Sequence, residues 1–177
     1  MINQKALFRE GSVPPGGTCL SSFVILTTGS DVLVGKMDKP DIWVERFFVG
    51  AQLAPTYSSS GKFLLPASHL SWYESPLEAA QRIVRDQVQL HVKQLELLEV
   101  QSHLRGDRES TENPLHWDIC FVYQAKVPVS VAKKIKKPEW FKDFGFVKRS
   151  KLAPDDFTRG HGDILQQAKL IGRRPNR

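Results

Sequence analysis

Long apolar runs are missing from this chain. No stretch approaches the ~20 residues that a bilayer-spanning helix needs, and Met1-Ile2-Asn3-Gln4-Lys5 lacks the apolar core of a secretory signal. Cysteine is scarce: Cys19 and Cys120 are too few for a disulfide framework or an all-thiolate metal site. Internal repeats, low-complexity segments, a glycine-rich phosphate loop and a serine-nucleophile elbow are all absent. The five histidines, His69, His91, His103, His116 and His161, show no metal-ligand spacing. These absences point to a soluble, cytoplasmic protein whose thiols are buried packing residues rather than nucleophiles.

What is present suffices for a core. The 177 residues are 41% apolar, with ten Phe and four Trp, which excludes disorder as the main state and fits one domain over residues 1–177. Gly11-Ser12-Val13-Pro14-Pro15-Gly16-Gly17 breaks regular structure, so residues 1–17 read as a lead-in arm and 173–177 as a frayed tail. The net charge of +6 is unevenly spread. Residues 1–132 carry 12 basic and 14 acidic side chains, a net −2; residues 133–177 carry 13 and 5, a net +8. A basic end of this kind attracts phosphates, although it more often simply keeps a surface solvated.

The β-rich runs Ser22–Thr27 and Asp31–Lys36, with Gly29-Ser30 between them, predict a hairpin. Further strands are expected at Ile42–Val49, at Phe63–Leu65 ending at Pro66, at Gln94–Leu104, at Trp117–Val127 and at Gly145–Val147. One helix is strongly marked. Ser75-Pro76-Leu77-Glu78 combines an N-cap serine, proline in the first turn and glutamate three residues after the cap. Leu77, Ala80, Val84 and Val88 then recur at helical spacing, and the helix should end near Leu90. A short helix is expected over Val129–Lys137, and an amphipathic one over Asp163–Ile171 with Gly172 as its C-cap. On the capped helix, Arg82 is spaced to pair with Glu78 and Asp86.

Residues 68–90 resemble the Nudix box, G-x5-E-x7-R-E-U-x-E-E-x-G-U, where U is a bulky aliphatic. Glu74 and Arg82 fall on the first glutamate and the arginine, and Val84 and Leu90 on the aliphatics. The likeness extends over roughly residues 20–127 and implies a Nudix-like α/β/α sandwich with a mixed central sheet, the box helix on one face and the C-terminal helix on the other. The departures sit where the family keeps its charge. The opening glycine is Ser68, the glutamate after the arginine is Ile83, the paired glutamates are Asp86 and Gln87, and the late glycine is Gln89. In the family these carboxylates hold Mg²⁺ or Mn²⁺ and help activate the water that cleaves a diphosphate. A hard cation wants several charged oxygens, and Asp86 alone is left on that side of the helix as a metal ligand.

The resemblance therefore implies, first, a domain that binds a nucleotide or nucleoside-diphosphate derivative with weak or absent hydrolysis and no tightly held metal. Its pocket would lie between box helix and sheet, with Trp72, Tyr73, His69 and Arg82 as ligand contacts. The alternative is an active pyrophosphohydrolase using Mg²⁺ or Mn²⁺, with Glu74, Asp86 and the loop glutamates Glu109 and Glu112 as catalytic candidates. A third reading is an RNA-binding module using Lys133, Lys134, Lys136 and Lys137, for which Trp140 and Phe141 are the aromatic pair within the basic segment; a turn before Pro138 that buries both rings would leave only weak binding. Asp118 is a further candidate to face the pocket. The family's frequent dimers leave a homodimer open.

Overall fold

The computed structural model describes residues 17–47, 53–71, 73–105 and 115–172. The arm up to residue 16, the tail 173–177, Trp72, Glu109 and Glu112 lie outside the described residues. Strand β1 (Thr18–Thr28) turns at Gly29, φ +56°, into β2 (Asp31–Met37). Helices α1 (Pro40–Arg46) and α2 (Leu53–Ser60) follow, then β3 (Ala67–His69) and the box helix α3 (Pro76–Ile83). Strands β4 (Glu96–Arg105) and β5 (His116–Lys126), helix α4 (Val129–Ala132), β6 (Phe141–Lys148) and α5 (His161–Gln167) complete the order. The strands form one sheet in the order β4-β5-β1-β2-β6, with β3 beside the start of β1. β1 runs parallel to β5 and antiparallel to β2 and β3, so the sheet is mixed.

Alternation along β1 builds the sandwich. Phe23 and Ile25 point to one face, where Ile164 and Leu165 of α5 cover them together with Leu152 and Phe157. Val24 and Leu26 point to the other, onto Ala80, Ile83, Val84 and Val88 of the box helix. The architecture is the α/β/α sandwich expected, with the two helices on opposite faces.

Several local expectations are corrected. Residues 40–46 are helical rather than a strand; Pro40 is tolerated in the first turn, where its missing N–H costs nothing, and Asp41 complements the helix dipole there, but long-range packing selects the helix. Trp43 and Phe47 then share one side and pack with Trp140 and Phe141 in an aromatic cluster that also takes Tyr57 from α2, a helix the sequence did not announce. Phe63 and Leu64 form only isolated bridges, to Phe157 and Gly35, and the strand proper starts after Pro66. The box helix loosens into a π turn at Val84–Val88 and stops at Gln89 in the left-handed conformation, φ +57°. Pro128 starts α4, which lasts one turn. α5 begins at His161 after Gly160, φ +70°, and ends at Gln167 with Ala168 rather than Gly172 as its C-cap.

Candidate functional site

The box helix is fixed at its start by the capping residues. The Ser75 hydroxyl accepts from the Glu78 N–H at 3.3 Å while the Glu78 carboxylate accepts from the Ser75 N–H at 2.8 Å. Ser22 on β1 donates to the Pro76 carbonyl at 2.9 Å and docks this end on the sheet. Ahead of it, the Ser71 N–H donates to the Glu74 carboxylate at 2.9 Å, and Tyr73 takes a left-handed conformation and is 85% exposed.

Arg82 reaches back to this loop instead of along its own helix. Its Nε and Nη2 donate to the two Glu74 oxygens at 2.6 and 2.8 Å, a bidentate pair, and Nη2 also donates to the His69 carbonyl at 2.9 Å. Nη1 lies 3.4 Å from the Ser68 hydroxyl. The expected pairing with Glu78 and Asp86 is replaced, since Glu78 is engaged at the cap and Asp86 is held by Arg85 at 2.7 Å. Burial pushes the Glu74 carboxyl up, but the Arg82 and Ser71 bonds outweigh it and hold the group below the ordinary range. The Arg82 donors are thus occupied by the fold, and the guanidinium ties the 68–74 loop to the helix.

The second half of the box has a different character. Ile83 is 0% exposed and belongs to the apolar cluster between helix and sheet. Gln87 is 2% exposed and closes on the backbone of Ala67 twice. Its Nε2 donates to the Ala67 carbonyl at 2.8 Å, and its Oε1 accepts from the Ala67 N–H at 3.2 Å. The Gln87 carbonyl accepts from Trp140 Nε1 at 2.9 Å, which draws the aromatic cluster onto the same residue. Among the described residues no three His, Cys, Asp or Glu side chains are arranged to hold a metal ion. A buried isoleucine and an amide already bonded on both sides do not fit a hard divalent cation. Asp86 is half-buried beside Arg85, and His69 lies in β3 opposite Ser21.

Asp118, expected to face the pocket beside the box helix, lies instead on the opposite face of the sheet, in a buried polar layer whose other members the sequence did not single out as a group. On the α5 face, Asp118 Oδ1 accepts from Ser21 Oγ at 2.5 Å and from Cys19 Sγ at 3.2 Å, and Ser21 Oγ lies 3.7 Å from Cys120 Sγ. Burial and the Asp118 charge push the Cys120 thiol far up, so it stays protonated. Gln101, opposite Cys120 on β4, donates to the Ile164 carbonyl at 3.0 Å and meets His103 at 2.8 Å. Burial pushes the His103 imidazole down, with Arg105 adding to it. The available signal was the polar spacing of Cys19-Ser21 and Asp118-Cys120, which alternation places on one face.

Beyond the end of the box helix a pocket of about 450 Å³ opens between the 90–94 segment and the ends of β4 and β5, lined by Val92, Val127 and Pro128 and by the charged Lys93, Glu96 and Lys126. A second, of about 400 Å³, shares Leu90 and Val131 with it and adds Lys134 and Lys136. Of the other two lysines in that segment, Lys133 is exposed, and Lys137 donates to the Phe141 carbonyl at 2.6 Å.

A mixed sheet between helices, with a capped helix clamped to its preceding loop by a glutamate–arginine pair, defines a Nudix-type fold. The NUDIX domain profile matches residues 28–168, and the chain belongs to the Nudix family. Solved structures with this fold include a mutT/nudix family protein from Listeria innocua, 20% identical, covering 85% of this chain and 91% of its own, with a TM-score of 0.57. The MutT protein of Methanosarcina mazei Go1 is 14% identical and covers 89% and 96%, with a TM-score of 0.57. The NUDIX domain of Shewanella oneidensis NrtR, solved in complex with ADP ribose, is 14% identical and covers 86% and 87%, with a TM-score of 0.51. At such identities the likeness concerns the fold alone. None of the curated proteins compared matches the chain.

Proposed function

We propose that this Nudix domain binds a nucleotide or nucleoside-diphosphate derivative and hydrolyses it weakly or not at all. The observation that carries the reading is the pair of hydrogen bonds between the Gln87 side chain and the Ala67 backbone, beside a buried Ile83. Two positions that would have to present charged oxygens to a cation are committed to packing and to the backbone. The ADP-ribose complex of the NrtR domain supports the ligand class. The pocket past the box helix has the volume of small-molecule sites, and Lys93 and Lys126 in its lining, against the one carboxylate Glu96, suit a diphosphate. In this reading Arg82 holds the loop and does not touch ligand, and Asp86, paired with Arg85, is a weak metal ligand at best.

The RNA reading loses support because Trp140 and Phe141 are buried, whereas single-strand readers stack bases on exposed rings. The test is calorimetric titration with ADP-ribose in EDTA and in Mg²⁺, alongside chromatographic detection of AMP. Saturable binding that does not need metal, with turnover far below about 1 s⁻¹, is expected. Lys126→Glu should weaken it about tenfold. Mg²⁺-dependent turnover of about 1 s⁻¹ or more, ordinary for an enzyme, overturns the proposal.

A further inference from the structure

The smaller of the two pockets past the box helix carries charge of one sign only. Its polar lining is Gln89, Ser130, Lys134 and Lys136, all of which offer donors, and no carboxylate takes part. The larger pocket, by contrast, sets Lys93 and Lys126 against Glu96. Leu90 and Val131 stand in the walls of both. The four lysines are exposed, and none of them enters an ion pair among the described residues. Gln89 is the unusual member. It stops the box helix in the left-handed conformation, φ +57°, where glycine or asparagine is the usual residue because other side chains are strained there. The turn that holds it is fixed. The Gln89 and Leu90 N–H groups both donate to the Val84 carbonyl, and Trp140 Nε1 donates to the Gln87 carbonyl at 2.9 Å. Across the pocket, Lys137 donates to the Phe141 carbonyl at 2.6 Å and ties down the end of the segment that carries Lys134 and Lys136. A strained residue on a fixed turn, in the wall of a cationic pocket, points to a use for its side chain.

We infer that the smaller pocket receives a second phosphate site of the bound ligand, so that the ligand class is a nucleoside-diphosphate derivative carrying an additional phosphate monoester. This rests on the proposed reading of the larger pocket as the place of the diphosphate. A monoester brings nearly two negative charges and three acceptor oxygens. Lys134 and Lys136 supply the opposite charge, the Gln89 amide and the Ser130 hydroxyl supply neutral donors, and no carboxylate opposes the anion. Val88 and Ile135 in the same lining keep the surroundings apolar, which strengthens each of these bonds. Because the pockets share two wall residues, one molecule can occupy both, with its diphosphate at Lys93 and Lys126 and its monoester at Lys134 and Lys136. A derivative without the extra phosphate uses only the larger pocket and leaves the second pair of lysines in water.

Calorimetric titration of the full chain in EDTA, at about 0.15 M salt, tests this with three probes: ADP-ribose, ADP-ribose phosphorylated on its adenosine ribose, and ADP-ribose phosphorylated on its distal ribose. At least one ester should bind about tenfold tighter than ADP-ribose, the gain expected of charge-assisted bonds. Lys134→Gln combined with Lys136→Gln should bring the ratio of the two dissociation constants close to one. Should that pair fail to fold, each single lysine variant replaces it and should lower the ratio. Gln89→Gly should also lower the ratio, while its melting temperature stays level or rises, because glycine is unstrained at positive φ. Lys142→Gln, on β6, should keep the ratio. ADP-ribose that binds with no gain from either ester overturns this inference and leaves the proposed function standing, whereas no saturable binding of any probe overturns both. A gain that survives in the folded lysine and Gln89 variants overturns the inference as well. So does tighter ADP-ribose binding on adding inorganic phosphate with no gain from the esters, which gives the pocket to a free anion.

Discussion

Gln87→Glu replaces an amide nitrogen with a carboxyl oxygen and should introduce a pH dependence. In the native chain the amide both donates to and accepts from Ala67 in a site closed to water. A protonated glutamic acid is nearly isosteric and can do the same, its hydroxyl donating to the Ala67 carbonyl. An ionised carboxylate cannot, because it would set a second acceptor against that carbonyl. Folding at neutral pH therefore requires the variant to hold a proton it would release when unfolded. The ceiling on the cost is the free energy of protonating an ordinary glutamate at pH 7, about 3.7 kcal/mol at 1.36 kcal/mol per pH unit above a pKa of ~4.3. The folded-state pKa is raised, so native-like stability is present below the unfolded value and is lost as pH rises from ~4.3 toward the folded value. At pH 5 the ceiling is only about 1 kcal/mol. With a urea slope of about 2 kcal/mol/M, the midpoint should fall by up to about 1.9 M at pH 7 and up to about 0.5 M at pH 5. Gln87→Met removes both bonds and should lose a similar amount at both pH values, which separates protonation from simple loss of contact. A Gln87→Glu midpoint within about 0.3 M of native at pH 7, or an equal loss at both pH values, would refute the reasoning.

Two other perturbations test neighbouring parts of the box. Glu74 is held below the ordinary carboxylate range by Arg82, so its contribution is present above the unfolded pKa and disappears as pH falls through the folded one. Urea midpoints taken from pH 6 to 3 should decline for the native chain and decline less for Glu74→Gln, and parallel curves would remove Arg82 as the cause. Ile83→Glu places a carboxyl in the apolar cluster between helix and sheet and should cost about 3–5 kcal/mol, enough to unfold a marginal domain. A well-folded variant with a midpoint near native would mean that the 83 side chain faces solvent or a site.

The parts of the fold legible in the sequence are those settled by neighbours along the chain. The Gly29 turn, the alternation of β1 and β2, and the Ser75–Glu78 cap each depend on residues within a few positions of one another. The helix at 40–46 does not. Ile42 to Val49 has the apolar density of a strand, and what selects the helix is the packing of Trp43 and Phe47 against Trp140 and Phe141, with Trp43 Nε1 donating to the Trp140 carbonyl at 2.8 Å. A contact spanning nearly a hundred residues leaves no periodic trace at either end. Arg82 shows the same limit at shorter range. Helical spacing offered it Glu78 and Asp86, yet Glu74, eight residues back on a loop, presents both oxygens at once, and a bidentate pair is stronger than exposed pairs along a helix.

The candidate site was legible only as a set of substitutions, and geometry supplies their meaning. Sequence placed Ile83 and Gln87 where a carboxylate cluster belongs and implied a loss. The structure shows those side chains employed: Ile83 fills the interface that holds the helix to β1, and Gln87 bonds β3 with its side chain and Trp140 with its carbonyl. Three elements brought together by one residue resist separation, because replacing its side chain strands the Ala67 N–H and the Ala67 carbonyl in a closed site. A charged ligand set needs water, a cation and room to exchange both; a glutamine bonded to a strand needs none of them. Glu74, Arg82 and the Ser75 cap, whose work is to orient the helix, are compatible with either use and are retained. The residues that stiffen the helix can therefore persist while those that would ligate change, and this is why a box can remain recognisable in a chain that we propose binds its ligand without cleaving it.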